Sequence, residues 1–281
     1  MLEFFEVLWN QTFMQHAFLT GILASLACGI IGSYVVVKRI VFISGGISHS
    51  VLAGMGLAYY LGYPPLLGAV LFAILAALLI GVISLRARQR EDTIIGAVWA
   101  IGMAAGLIFI SRTPGYNADL MSYLFGNILM VSRSDLLIIA VLDGLIVLLV
   151  FLFYKPFLAV CFDEEYARLQ GIRVDAVYLL LLCLTALTIV VLIQVVGIIL
   201  VLALLTLPAA MASHHVRGLL PMMLTATGVG MICTSAGLFL SYEPNLPTGA
   251  TIVMTAGSLY LLSTAYHSLA QYRQRLRGKR W

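Results

Sequence analysis

The 281-residue chain is 62% hydrophobic and only 10% charged, with a formal net charge of +4 and a mean hydropathy of +1.06. Soluble domains carry about a quarter charged residues, so water is excluded as the main solvent and a bilayer is implied. The basic residues are dispersed rather than gathered in a patch with interleaved aromatics, and no nucleic-acid partner is expected.

In chain order, the opening MLEFFEVLWNQTF carries two acids and no basic segment, and no small-residue cleavage site follows the next apolar run. A cleaved leader is therefore not expected. Apolar runs then place helices near 14–37, 41–61, 66–84, 93–111, 136–154, 174–193, 197–213, 219–241 and 249–268. These are long enough for the roughly 30 Å hydrocarbon core, except that the run ending at Pro208 is short and pairs with its predecessor as a broken helix. The expected fold is an all-α membrane protein, a polytopic bundle of eight or nine transmembrane helices forming one domain over 1–281. Cys28, Cys161, Cys183 and Cys233 lack paired spacing and indicate neither a disulfide framework nor a zinc finger.

Short loops rich in Lys and Arg stay in the cytoplasm. A nine-span path puts Lys38, Arg39, Arg86, Arg88, Arg90, Lys155, Arg168, Arg173, Arg217, Arg273, Arg275, Arg277, Lys279 and Arg280 on one side. Only Arg112 and Arg133 fall opposite, at loops marked by Pro, Gly and Asn. The N-terminus is then outside, and the basic tail 271–281 is cytoplasmic, where it meets anionic lipid. An eight-span path would bring the N-terminus inside.

Ionisable groups within spans cost about 2.5–3.5 kcal/mol on insertion scales, so each is a functional candidate. His49 lies in FISGGISHSVLAGMG among Ser44, Ser48, Ser50 and several glycines. A neutral imidazole ligates borderline divalent metals, so His49 with Ser48 is a candidate lining for an ion path. The same segment also fits small-residue helix packing with a hydrogen-bonded histidine. Asp143, mid-span with no Lys or Arg one turn away, is a second candidate, for a cation path or for an interhelical hydrogen bond. The adjacent His214 and His215 point apart on a helix and are not expected to chelate.

The longest charged interruption, CFDEEYARLQGIRVD at 161–175, reads as a short cytoplasmic helix. Its first-turn acids Asp163, Glu164 and Glu165 suit the helix dipole, and Gly171 suits the stop. No phosphate-binding loop, HExxH, GxSxG or dinucleotide fingerprint occurs in the chain. An intrinsic ATPase or hydrolase is therefore not expected, and the scarcity of intramembrane acids disfavours an ion-coupled carrier.

Six stretches, taken in order, carry a resemblance: FISGGISHSVLAGMGLA at 42–58, EDTIIG at 91–96, DLMSYLFGNIL at 119–129, FDEEYARLQGI at 162–172, VGIILVLALLTLPAAMA at 196–212 and LPTGATIV at 246–253. Over about 20–268 the chain resembles the membrane permeases of the zinc and manganese uptake group of ABC transporters, the ZnuB-like family. The resemblance implies a homodimer in a prokaryotic inner membrane, separate cytoplasmic ATPase subunits that bind the ATP, and an extracytoplasmic metal-binding protein. It implies no permanently bound cofactor, with a divalent metal, zinc first, as transported substrate. It also makes 162–173, with Asp163, Glu164, Glu165 and Gly171, the segment coupled to the ATPase.

Two positions depart from the family's pattern. Where its members place an aspartate four residues before the histidine of the second span, this chain has Gly45. Where they place one two residues before a proline ahead of the last span, it has Asn245. Losing these hard anionic ligands weakens the case for manganese more than that for zinc. The alternatives are a permease for a metal chelate or other small solute, an ion-coupled carrier using Asp143, and a structural or sensory subunit.

Overall fold

The computed structural model describes residues 2–86, 91–113 and 124–278. The side chains of Arg88 and Arg90, the tail side chains from Arg273 onward, and residues 119–123 of the third resemblance stretch lie outside the described residues.

Eleven α-helices follow one another, with no strand among the described residues: α1 Leu2–Asn10, α2 Thr12–Lys38, α3 Val41–Tyr60, α4 Pro65–Arg86, α5 Glu91–Ser111, α6 Arg133–Leu152, α7 Tyr154–Phe162, α8 Glu164–Leu169, α9 Val174–His215, α10 Leu219–Tyr242 and α11 Thr248–Gly278. Seven of them, α2 to α6, α9 and α10, are long and apolar enough to cross a membrane. Local chemistry fixes several ends. Arg39 at φ 60° closes α2, and Ser132 opens α6 through a capping box, accepting from the Asp135 amide while that carboxylate accepts from the Ser132 amide.

α9 is the pivot of the fold. A straight helix of its 42 residues would run roughly 63 Å at 1.5 Å per residue. Yet Lys38 lines one cleft with Val174 and Asp175, at the start of α9, while Val36 and Val37 pack on the cluster that holds Ala209 and Ala212, near its end. Both ends of α9 therefore lie at the same end of the bundle, and the chain folds back on itself between them.

The reversal is at Gly197, whose φ of 75° and ψ of 170° are non-helical and available to glycine without penalty. A Cβ there would lie 2.3 Å from the Gly126 amide nitrogen, and one at Gly249 would lie 2.6 Å from the Phe125 carbonyl oxygen. No side chain fits this knot. The sequence expectation of a break near Pro208 is thus corrected: two limbs, 174–196 and 198–215, meet at Gly197, and Pro208 is buried inside the second. Proline within an apolar membrane helix is tolerated where neighbouring helices surround it, as they do here.

With two limbs in α9, the seven long helices make eight passages. α11 adds a ninth, because it starts with Gly249 near Val196 and carries His267 to the end of the bundle where α9 finishes. The nine passages agree with the runs read from sequence. Lys38, Arg39, Arg86, Lys155, Arg168, Arg173 and Arg217 all lie at helix ends or loops on one end of the bundle, hereafter the basic end, with Gly197 at the other.

α2 and α9 form the centre, with α10 and α11 against one side, α3, α4 and α5 against another, and α6 on α2. Close approach at the centre depends on small residues: a Cβ at Gly32 would lie 2.1 Å from the Leu205 carbonyl oxygen, and one at Gly29 would lie 2.4 Å from the Thr227 amide nitrogen.

Candidate functional site

The polar stretch of α3 is buried from Ile43 to Gly56. Its hydroxyls bond mainly within their own helix: Ser44 donates to the Ile40 carbonyl (3.1 Å), Ser48 to Gly45 (2.9 Å) and Ser50 to Gly46 (2.6 Å), with a longer contact from Ser50 to the Val98 carbonyl of α5 (3.3 Å). Such back-bonding satisfies a hydroxyl's donor in an apolar setting. The Ser48 oxygen keeps its lone pairs as acceptors.

Most of the segment's glycines serve packing. A Cβ at Gly46 would lie 2.5 Å from Ile95 Cγ2, one at Gly54 2.3 Å from the Gly68 carbonyl oxygen, and one at Gly56 2.6 Å from the Gly106 carbonyl oxygen. Gly45 differs. A Cβ there would meet only side-chain tips, Leu202 Cδ1 at 3.2 Å and Trp99 Cζ3 at 3.5 Å.

One turn further on, on the same face, the His49 imidazole lies flat against the Trp99 indole, with ring centroids 4.1 Å apart and planes 6° apart. The Trp99 indole N–H points to Met103 Sδ at 3.2 Å, and the buried His49 Nδ1 has no hydrogen-bond partner. His49 thus sits on a wall formed by α3, α5 and the second limb of α9. Trp99 covers the ring, and Leu202 stands beside the space above Gly45. Sequence reasoning missed Trp99, which carries no motif.

Asp143 is elsewhere. It shares a buried face of α6 with Ile139, Ile146 and Val150, is 2% exposed, and neither carboxyl oxygen has a hydrogen-bond partner. α6 packs on α2 and α9, so His49 with Ser48 and Asp143 are not brought together. Among the described residues, no group of three His, Cys, Asp or Glu is placed to hold a metal. His215 donates Nδ1–H to the Met211 carbonyl (2.9 Å), and its ring also approaches His267, with centroids 6.4 Å apart. The ring of His267 stacks on that of His214, with centroids 5.3 Å apart, a pairing between α9 and α11 that sequence reading did not foresee.

At the basic end, 161–175 forms the short helix α8. Asp163 is its N-cap, accepting from the Tyr166 amide at 2.9 Å, and Gly171 at φ 77° turns the chain out of it. Glu164 points inward and pairs with Lys38, whereas Glu165 is exposed. The four residues singled out there therefore have separate places: cap, inward pair, outward acid and turn. Beside them the Cys161 thiol is pushed up to about 11 by burial, with Lys38 opposing and Glu164 adding.

The outward side of α8 is apolar. Tyr166 and Leu169 of α8, three residues apart on one side of the helix, are 54% and 87% exposed, and Phe162, the last residue of α7, is 65% exposed beside them in sequence. Only Ala167 of α8 is buried. Behind these side chains a cleft of about 890 Å³ runs between Lys38, Arg39, Asp92, Glu165, Arg168 and Tyr178.

A two-limbed central helix, a membrane-length bundle around it and a small helix at one end define a polytopic membrane subunit of the transporter kind. The ABC 3 transport family model matches residues 10–267, and the chain belongs to that family. It is 45% identical to a probable metal transport system membrane protein of Chlamydia muridarum, covering 85% of this chain and 84% of that one. It is 35% identical to the manganese transport system membrane protein MntC of Halalkalibacterium halodurans, covering 92% and 89%. The solved structure of PsaBC from Streptococcus pneumoniae in complex with Fab superposes with a TM-score of 0.86 at 34% identity, over 93% of this chain and 94% of that one.

Proposed function

We propose that this chain is the membrane-spanning subunit of an ATP-driven importer for a divalent transition-metal ion, working as a homodimer with separate ATPase subunits and an extracytoplasmic binding protein. The observation that carries the proposal is α8. A six-residue helix at the basic end turns Tyr166 and Leu169 outward, next to the exposed Phe162 that ends α7, in a chain without a phosphate-binding loop. Apolar side chains presented in this way insert into a groove on a partner, and the partner that supplies hydrolysis is an ABC ATPase. The basic end is then cytoplasmic, in keeping with the charge bias.

For the ion, His49 is the pathway ligand. It is one imidazole on a wall without a carboxylate, a contact weak enough for release. The imidazole favours zinc, whereas MntC, the named relative, moves manganese; both metals fit the proposal. Asp143 stands apart from the path and is assigned no contact with the ion.

The test is metal uptake by proteoliposomes containing the full complex. His49→Ala is expected to retain its ATPase subunits and lose most uptake of both zinc and manganese. Leu169→Glu is expected to lose the ATPase subunits on purification. Undiminished uptake in the first removes His49 from the path, and full assembly in the second removes α8 from the interface.

A further inference from the structure

We infer that Lys38 is the positioning residue that couples α8 to the transport helices, fastening the α7–α8 joint to the end of α2. The inference rests on the reading of α8 as the ATPase contact and goes beyond it to what α8 moves.

The Lys38 ammonium is 15% exposed, and both of its described contacts lie at the joint. It donates to the Val160 carbonyl at 2.9 Å, in the last turn of α7, and to the Glu164 carboxylate, in the first turn of α8. The end of a helix presents unpaired carbonyls and partial negative charge, and an ammonium answers both. One side chain therefore spans the end of one helix and the beginning of the next.

Lys38 is also the last residue of α2, so little slack separates it from that rod. α2 in turn meets the second limb of α9 backbone to backbone, because a Cβ at Gly32 would reach the Leu205 carbonyl oxygen at 2.1 Å. One turn back on that limb, Leu202 faces Gly45 beside His49. The physical chain is Glu164, Lys38, α2, the second limb, and the wall of the ion path. Tightly packed small-residue contacts carry displacement along such a chain because they do not deform smoothly.

The second tie of α8 is weaker. Arg168 pairs with Asp175 at 2.8 Å, but the two side chains are 55% and 59% exposed, and exposed pairs contribute little. It also reaches only the first limb of α9, on the far side of Gly197.

The test uses the complete complex in proteoliposomes, with radioactive zinc or manganese uptake and ATP hydrolysis measured on the same sample. Lys38→Met is expected to keep its ATPase subunits and to hydrolyse ATP, while ions imported per ATP fall by about fivefold or more, in the range of mutations along coupling networks. Glu164→Gln breaks the same contact from its more exposed partner and is expected to do likewise, which guards against a folding defect in the first variant. Lys38→Arg, which keeps a cation able to donate to both the Val160 carbonyl and Glu164, is expected to retain the ratio. An unchanged ratio in both single variants, or a loss in Lys38→Arg as large as in Lys38→Met, overturns the inference. Loss of the α8 reading shows separately, as full ATPase assembly in Leu169→Glu.

Discussion

The wall around His49 and the end carrying α8 are built in opposite ways. The wall is closely packed: its hydroxyls bond mainly within α3, Gly46, Gly54 and Gly56 bring backbones together, and Trp99 stacks over the imidazole. The α8 end is open, with apolar side chains and an acid facing away from the bundle, held by ion pairs and by one small cluster of Val160, Ala167 and Val174. Packing fixes a position closely but cannot shift gradually, whereas an ion pair at a helix joint lets a small element be pushed as a unit. The wall is rigid, and the α8 end is tethered.

The sharpest way to break this contrast lies in two adjacent glycines. Gly46→Val places branched methyls where Ile95 Cγ2 would already be 2.5 Å from a Cβ, and overpacking of this kind costs about 1–3 kcal/mol. Its thermal unfolding midpoint in detergent should fall clearly below wild type. Gly45→Asp meets only the tips of Leu202 and Trp99 and should fold. It would set a carboxylate on the His49 face, and hard oxygen favours manganese, so uptake should shift toward manganese relative to zinc. Equal destabilisation by both substitutions would mean that the wall has no space above Gly45.

That pair also shows what was legible in the sequence. The spans were, because runs of about twenty apolar residues leave few alternatives. The short helix with its acid-rich first turn was too, for local reasons, as Asp163 caps it and Gly171 ends it. The reversal at Gly197 was not, because IQVVGIILV is apolar but for Gln194 and its glycine resembles the packing glycines around it. Pro208 drew the expectation instead. The exposed pair Tyr166 and Leu169 had a signal in its helical spacing, hidden among charged neighbours, whereas Phe162 lies across the extended Asp163 and shares no such spacing. The Lys38 contact with Glu164 joins residues 126 apart, which no local pattern encodes. The stacking of Trp99 on His49 is likewise a matter of which helices become neighbours.

A smaller effect separates His49 from the other buried polar group. Asp143 resembles it in burial but has no aromatic cover and no hydrogen bond to either oxygen. An unsatisfied buried polar group costs about 1–3 kcal/mol, so Asp143→Leu, apolar and near in size, should raise the unfolding midpoint. Metal uptake should stay within twofold or so of wild type, a change of about 0.4 kcal/mol. A large loss of uptake with normal assembly would bring Asp143 into the path and end the separation of the two sites.

The smallest expected change is a reaction rate at the α8 end. Burial pushes the Cys161 thiol up to about 11 while the Lys38 ammonium opposes that rise. The thiolate is the nucleophile, so in a variant lacking the other three cysteines, alkylation by a maleimide should be slow at neutral pH and go on rising about tenfold per pH unit past pH 9, where an ordinary thiol levels off. Lys38→Met removes the opposing charge, so the thiol moves further up and labelling at pH 9 slows. A local opening that freed Cys161 would instead speed labelling at every pH. The direction of the change therefore tells whether Lys38 acts on the joint as a charge held in place or only as a plug, and only the first is compatible with a tether that transmits a push.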